Sequence, residues 1–334
     1  MKRTLRNLKI TLFIFFVALF IGCESKKSSP VLVDSNGRIN HLLLVVKNSH
    51  WQTKIGDKLR EIIGTPVIGM PQEENQFDIS RVPPDSFGKM FKASRNVLLV
   101  ELGKENIFQT KRNVYAKPQQ IVKVSGIDET AVIDLLEKNK ATLLASFKDF
   151  DIENIQKAHR KKSYPKNTFK TLENLGVSMT IPNTFKKVDD TGTFLWLRQH
   201  LSGGIAKGDS NSNILVYTVP VPEDKTDLIK TISQIRDTIG KKHLLGRNKN
   251  MFMITEKAFT PKVFETRLNG KTIYKTHGKW EVLNDFMAGP FLNYTIENLA
   301  HNRWLVIEGF TYAPSVNKRD YMFELEAILK TVQF

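Results

Sequence analysis

The chain of 334 residues carries 50 lysines and arginines against 34 aspartates and glutamates, which gives a formal net charge of +16. Hydrophobic residues make up 41% of the sequence, and a fraction of this size excludes a largely disordered chain. The single cysteine excludes an internal disulfide framework, and the length favours two domains, each stabilised by its own core.

The amino-terminal segment 1–22 has the pattern of a secretory signal peptide. Four cations and no acid precede an apolar run over residues 10–21. This run is shorter than the roughly 20 apolar residues that a transmembrane helix needs, and it matches the hydrophobic region of a signal. We therefore predict a signal peptide over residues 1–22, with an uncleaved anchor helix as the alternative.

The single cysteine, Cys23, follows this apolar run directly. The sequence Leu19-Phe20-Ile21-Gly22-Cys23 resembles a bacterial lipobox. The resemblance implies cleavage after Gly22, a diacylglyceryl thioether on Cys23 and acylation of the new amino terminus. Two or three acyl chains would hold the protein at a membrane, because each buried methylene group contributes about 0.8 kcal/mol.

Residues 23–37 are predicted to be a flexible tether. The stretch 24–30 is polar and basic, and it lacks the acidic cluster that resembles a surface-export signal in Bacteroidota lipoproteins. We therefore expect the protein to be anchored in the outer membrane and to face the periplasm.

The charge of the mature chain is also strongly positive. Removal of the four cations of the signal leaves 16 − 4 = +12. Such an excess favours anionic surfaces, although a solvated lysine-rich surface is the simpler interpretation. No nucleic-acid partner is expected, because an exported lipoprotein rarely meets one.

The first predicted domain covers residues 38–157 and is an α/β sandwich of few strands. Ser49 and Gln52 have the spacing of a helix capping box, and Gly64 is a natural stop for that helix. Helices on one or on both faces of the sheet are both compatible with the pattern. The predicted elements are strands at 39–46, 96–102 and 113–124, helices at 49–63 and 84–94, and one long helix or two contiguous ones at 128–157.

A basic, proline-containing linker at 158–167 is predicted to precede the second domain, residues 168–334. Alternating apolar and polar residues favour a curved, mainly antiparallel sheet with helices against one face. Asn269-Gly270 predicts a tight hairpin, since both residues accept positive φ angles. The element order of this second domain resembles the Mog1/PsbP-like α-β-α sandwich.

The fold class predicted for the whole chain is α+β, with two α/β-sandwich-type domains.

Three stretches of the first domain resemble an uncharacterised lipoprotein family of Bacteroidota, a domain of unknown function. They are residues 37–41, the helix with Trp51, and the loop at 66–78. The resemblance covers nearly the whole mature chain. It implies a location in the cell envelope and provides no activity, substrate or catalytic residue.

The usual catalytic and cofactor motifs are absent from the sequence. Its seven histidines show no spacing that places two metal ligands on one helix face. The glycine-rich stretch 202–208 departs from a P-loop, since Lys207 precedes Gly208 and a strand follows. No serine lies in a GxSxG motif. We therefore predict no catalytic residue, no metal and no cofactor.

The loop at 66–77 is one candidate surface for a binding partner. Phe77 or Met70 is expected to pack into the domain, leaving Glu73 and Glu74 exposed as an acidic site on a basic protein. The alternative is a structural connection whose apolar residues hold it against the core.

Two of the four tryptophans are candidates for an exposed aromatic surface that binds sugar or lipid. Trp196 alternates with Arg198 on one predicted strand, and Trp280 lies at the end of another. The other two tryptophans lie in apolar patterns and are predicted to belong to the cores.

These observations favour a lipid-anchored envelope protein that is a noncatalytic binding or accessory component. Its predicted partners are the membrane, through the acyl chains, and another envelope protein, the cell wall or lipid. The alternative is a hydrolase or transferase that acts on an envelope polymer with acids from a cleft between the domains. Facing carboxylates in that cleft would favour the enzyme.

Overall fold

The computed structural model describes residues 32–201, 210–298, 302–314 and 316–334. A mainly parallel sheet and a mainly antiparallel sheet form two helix-covered units, so the predicted α+β class is confirmed. The strands of the first half are β1 (Val33–Asp34), β2 (His41–Val46), β3 (Asp78–Val82), β4 (Asn96–Leu102), β5 (Ile107–Arg112), β6 (Ala116–Lys117) and β7 (Gln120–Gly126). Its helices are α1 (Asn48–Trp51), α2 (Lys54–Ile63), α3 (Lys89–Lys92) and α4 (Glu129–Arg160), and a 3₁₀ turn covers Pro84–Ser86.

The first sheet has the strand order β3-β2-β4-β7-β5, in which only β5 runs antiparallel to its neighbour. Strand β2, in the interior of this sheet, is a nearly continuous apolar run, as expected of a strand covered on both faces. Helices α2 and α4 cover one face, and the segment 84–94 places Phe87 and Phe91 on the other. Both faces are therefore covered. The short pair of β1 and β6 lies apart from this sheet.

The helix predicted at 49–63 is two helices. Helix α1 ends at Trp51, α2 begins at Lys54, and an added Cβ at Gly56 would lie 1.8 Å from the Trp51 carbonyl oxygen. The capping box at Ser49 is wrong, because Ser49 lies inside α1 and no side chain caps that helix. By contrast, α4 is one continuous helix, and the Asp128 carboxylate accepts a hydrogen bond from the Ala131 amide at its start.

The second sheet has eight strands in the order β11-β13-β14-β15-β10-β9-β8, with β12 paired to β13. These strands are β8 (Lys186–Asp190), β9 (Phe194–His200), β10 (Asn211–Pro220), β11 (Met253–Thr255), β12 (Lys262–Leu268), β13 (Lys271–Val282), β14 (Ala288–Asn298) and β15 (Arg303–Tyr312). The helices are α5 (Lys170–Asn174), α6 (Leu228–His243) and α7 (Arg319–Leu329). The β12–β13 turn has φ of 49° at Asn269 and 81° at Gly270, which confirms the predicted tight hairpin.

Both faces of the second sheet carry helices, so the expectation of helices against one face is wrong. Leu197 of β9 belongs to the apolar core that α5 and α7 cover. Phe194 of the same strand points to the opposite face and belongs to the core that α6 covers. Successive strand residues point to opposite faces, and both sets of positions in β10 and β15 are apolar.

Helix α7 joins the two domains by packing against α4. Phe323 and Ala327 of α7 share an apolar cluster with Ile152 of α4. The Gln156 side chain donates a hydrogen bond to the Ala327 carbonyl oxygen at 2.9 Å. The two domains therefore share an interface with its own buried apolar contacts.

Candidate functional site

A cavity of about 320 Å³ opens on the α6 side of the antiparallel sheet. We call it the aromatic pocket. Its lining combines aromatic rings, thioethers and arginines. The lining includes Trp196, Arg198, Trp280, Met287, Phe310 and Tyr312.

Strand register brings these side chains together from distant parts of the chain. Trp280 of β13 lies opposite Gly289 of β14. A Cβ at Gly289 would lie 3.0 Å from the Trp280 indole nitrogen, so this glycine leaves room for the ring. The Trp280 ring meets Phe310 edge to face at 5.5 Å and lies 6.3 Å from Tyr312. These three rings form a rigid apolar wall.

A partly buried guanidinium forms the polar part of the aromatic pocket. Arg198 lies over the Trp196 ring, 4.7 Å from its centroid. The Oδ1 atom of Asn213 accepts from Arg198 Nε at 3.1 Å and from Trp196 Nε1 at 2.9 Å, so this amide holds both side chains in place. Burial lowers the pKa of Arg198 from its ordinary value. Within the described ranges, no carboxylate forms an ion pair with Arg198.

The mouth of the aromatic pocket is both apolar and basic. The turn at 245–252 places Leu245 there, 69% exposed, beside the exposed Arg247. The β13–β14 turn carries a fully exposed Phe286 next to Met287 of the lining. The Leu283 amide donates to the Phe252 carbonyl oxygen at 3.0 Å, which ties the two turns together.

Three of the predicted site residues, Trp196, Arg198 and Trp280, therefore line one pocket. Trp196 is partly exposed, but the expectation of an exposed Trp280 is wrong, because its side chain is only 1% exposed. Alternation along β13 points Trp280 into the α6-side core. Trp280 forms a wall of the pocket beneath the surface.

The predicted residues of the 66–77 loop lie elsewhere. Met70 packs into the core of the C-terminal domain, and Gly69, at φ 84°, lets the loop approach the Gly278 backbone. Glu73 is exposed as expected. The expectation of an exposed Glu74 is wrong, because its side chain belongs to the interface between the domains.

Glu74 caps the start of α7. Its two carboxylate oxygens accept hydrogen bonds from the Lys318 and Arg319 amides at 2.8 and 2.9 Å. Amides at a helix start have no partner within the helix, and the helix dipole favours a negative charge there. The loop therefore contacts the C-terminal domain, and Met70 holds it against a core as the structural alternative predicted. The contact between the two domains through Glu74 was not predicted.

Cys23 and Gly22 lie outside the described residues, and lipid attachment stays a prediction. None of the helices in the described ranges is both long and apolar enough to span a membrane.

Sequence reasoning missed Met287, Phe310 and Tyr312 of the aromatic pocket. Phe310 and Tyr312 belong to an almost continuously buried strand, so no change in pattern separates them from ordinary core residues. The alternation of Trp196 with Arg198 was the one local signal for this site.

Two family profiles match the chain. One, Domain of unknown function (DUF4837), matches residues 164–331, half of the chain. The other, Domain of unknown function (DUF8532), matches residues 35–160. No curated protein matches the chain.

Two solved structures are distantly similar to this chain. The Ran-binding protein Mog1p of Saccharomyces cerevisiae is 10% identical with a TM-score of 0.30, and the match covers 47% of this chain and 89% of Mog1p. LpqN of Mycobacterium tuberculosis, involved in cell envelope biogenesis, is 10% identical with a TM-score of 0.29, covering 47% of this chain and 83% of LpqN. TM-scores this low carry no argument about activity.

The two profiles confirm the expected resemblance to an uncharacterised family, whereas the Mog1/PsbP-like likeness stays a distant one. The chain belongs to the family described as Domain of unknown function (DUF4837).

Proposed function

We propose that this protein is a noncatalytic binding protein of the cell envelope and that its aromatic pocket takes an anionic lipid. The observation that carries the proposal is the position of Arg198, a partly buried guanidinium at an apolar, aromatic cavity whose described lining contains no carboxylate. We further propose that acyl chains on Cys23 hold the protein in the outer membrane, facing the periplasm.

The chemistry of the pocket suits both parts of an anionic lipid. A guanidinium forms bidentate hydrogen bonds with phosphate and carboxylate groups. Aromatic and thioether side chains offer an acyl chain an apolar, adaptable contact surface. Exposed Leu245 and Phe286 flank the mouth, where they can contact the hydrocarbon of the same lipid. The charge of +12 on the mature chain adds a general attraction to anionic surfaces.

Arg198→Met is expected to weaken binding of dihexanoyl phosphatidylglycerol about tenfold or more, because a hydrogen bond to a charged group contributes about 1.5–3 kcal/mol. The measurement is tryptophan fluorescence, since Trp196 and Trp280 line the pocket. The protein is the mature chain with Cys23→Ala, titrated below the micelle concentration.

The matched control for this titration is Arg267→Met, which removes an exposed arginine on β12. This variant should bind phosphatidylglycerol as the wild type does, and zwitterionic dihexanoyl phosphatidylcholine should bind the wild type more weakly. Equal affinity for the two lipids, or unchanged binding in Arg198→Met, would contradict the proposed ligand.

Cys23→Ala in the full-length chain is expected to abolish lipid attachment, because the thioether needs the thiol. Intact-mass analysis should show that the wild type has lost residues 1–22 and gained acyl mass, and cell fractionation should place it in the outer membrane. If the wild type and the variant both keep residues 1–22, the segment is an uncleaved anchor helix.

A further inference from the structure

A second cavity, of about 240 Å³, lies between the two domains. We call it the interdomain cleft. The N-terminal domain contributes the loop after α2 and part of α4, and the C-terminal domain contributes β13, β14 and α7. Much of its wall is apolar, formed by Ile68, Met70, Leu292, Met322 and Phe323.

Glu326 is the one carboxylate in the described lining of the interdomain cleft, and cations surround it. Lys275 Nζ lies 2.6 Å from its Oε1 atom, and Lys330 Nζ lies 3.8 Å from the same atom. The Tyr294 hydroxyl donates to that oxygen at 3.4 Å. This arrangement differs from the facing carboxylates that the enzyme alternative requires.

Lys148 of α4 adds a further cation, which no carboxylate neutralises by direct contact. Its side chain lines the interdomain cleft and forms no hydrogen bond or ion pair with any residue that the structure describes. Burial lowers the pKa of Lys148 below its ordinary value. His277, nearby in the lining, has a pKa of about 4, because it is buried and close to Lys275 and Lys148, so it is neutral at pH 7.

The other strong cation of the lining, Arg319, is already neutralised. Its guanidinium contacts Asp78 Oδ2 at 2.9 Å and Asp320 Oδ1 at 2.8 Å. The unmatched charge of the interdomain cleft is therefore that of Lys148, beside an apolar wall. Lys148 is partly buried, and an ammonium group partly removed from water without a direct partner is unfavourable, so a bound anion would relieve that state.

We propose that the interdomain cleft binds a small organic anion with an apolar tail, of the medium-chain carboxylate class, whose charged group pairs with Lys148. The cleft, at about 240 Å³, is smaller than the aromatic pocket of about 320 Å³, which favours a smaller ligand here. The tail of this ligand contacts Leu292 and Met322. The neutral ring of His277 offers a hydrogen bond beside the charged group.

Titration calorimetry of the mature chain with octanoate, octanol and acetate tests this site. Octanoate should bind at least tenfold more tightly than octanol, which lacks the charge, and than acetate, which lacks the tail. Lys148→Met should weaken octanoate binding about tenfold or more, as expected for one lost charged hydrogen bond. Lys157→Met removes an exposed lysine of the same helix and should leave binding unchanged.

Glu326→Gln should act in the opposite direction. It removes the competing carboxylate, so octanoate should bind several-fold more tightly although the protein melts at a lower temperature. Lys148→Met should fold, since it removes an unpaired and partly buried charge, and its melting temperature should rise. A merely damaged cleft would lose binding in both variants.

Octanol binding as tightly as octanoate, or octanoate binding unchanged in Lys148→Met, would overturn the proposal. Arg198→Met, which alters the aromatic pocket, should leave octanoate binding at the interdomain cleft intact. The proposals for the two sites can therefore be rejected independently of each other.

Discussion

Replacing Arg236 by methionine is expected to lower the free energy of unfolding by about 3–5 kcal/mol, the usual effect of removing one partner of a buried ion pair. The side chains of Arg236 and Glu308 are 3% and 2% exposed. Their contact is bidentate, with Arg236 Nε and Nη2 donating to the two Glu308 oxygens at 2.8 and 2.7 Å.

Apart from Arg236, the described residues offer the Glu308 carboxylate one side-chain donor. Asn293 Nδ2 already donates to Glu308 Oε2 at 2.9 Å, and Arg236 Nη1 donates to Thr255 Oγ1 at 2.7 Å. The guanidinium also lies over the Phe291 ring, 3.4 Å from its centroid. Arg236→Met therefore leaves a buried charge with one amide donor, and it frees the Thr255 hydroxyl as well.

The matched control is Arg112→Met, because Arg112 and Glu153 also form a bidentate contact, at 2.8 and 3.1 Å, but with side chains 49% and 44% exposed. Exposed pairs contribute about 1 kcal/mol or less, so this variant should change stability little. Chemical denaturation followed by circular dichroism measures both variants. Losses of equal size would contradict the role of burial. The double variant Arg236→Met with Glu308→Leu should recover much of the loss.

Local chemistry predicted the parts of the fold that depend on few residues. Asn269-Gly270 forms its turn because both residues adopt positive φ without help from distant parts of the chain. The apolar run of β2 identified a central strand for a similar reason. Strands β3 and β5 were missed, because both are largely exposed and polar and lack the alternation that marks a strand.

The candidate sites depend on contacts between distant residues, which the local sequence pattern does not reveal. Glu74 and the Lys318 amide that it caps are 244 positions apart, and nothing around Glu74 distinguishes it from exposed Glu73. Lys148 lies on a long helix rich in lysine, where only its position beside the second domain makes it unusual. Trp196 and Arg198 were found because they alternate on one strand, and the rest of that pocket comes from other strands.

Acidification from about pH 7.5 to pH 4 is expected to remove about 3 kcal/mol of stability through His277. Its pKa in the folded protein is about 4, against an ordinary value of 6.5. Burial is the main cause, Lys275 and Lys148 add to the shift, and Glu326 opposes it. Below pH 6.5 the unfolded chain takes up a proton that the folded protein does not, so stability falls with pH until the folded state is protonated near pH 4.

His277→Gln should remove this part of the pH dependence, since glutamine does not titrate. Denaturation of both proteins across the pH series measures it, and their difference in unfolding free energy should change by about 3 kcal/mol between pH 7.5 and pH 4. Burial also lowers the pKa of His41 and His243, but both proteins keep those residues, so their effects cancel in the difference.

Glu326 acts in a lower pH window, which separates it from His277. Cations, led by Lys275, outweigh the effect of burial and lower its pKa from 4.5 to about 2, so its contribution is present above pH 4.5 and is lost as the pH falls towards 2. Wild type and His277→Gln should therefore lose stability in parallel below pH 4. Parallel curves above pH 4 would show that the folded protein accommodates a protonated His277, and that the cations of the interdomain cleft do not act on this ring.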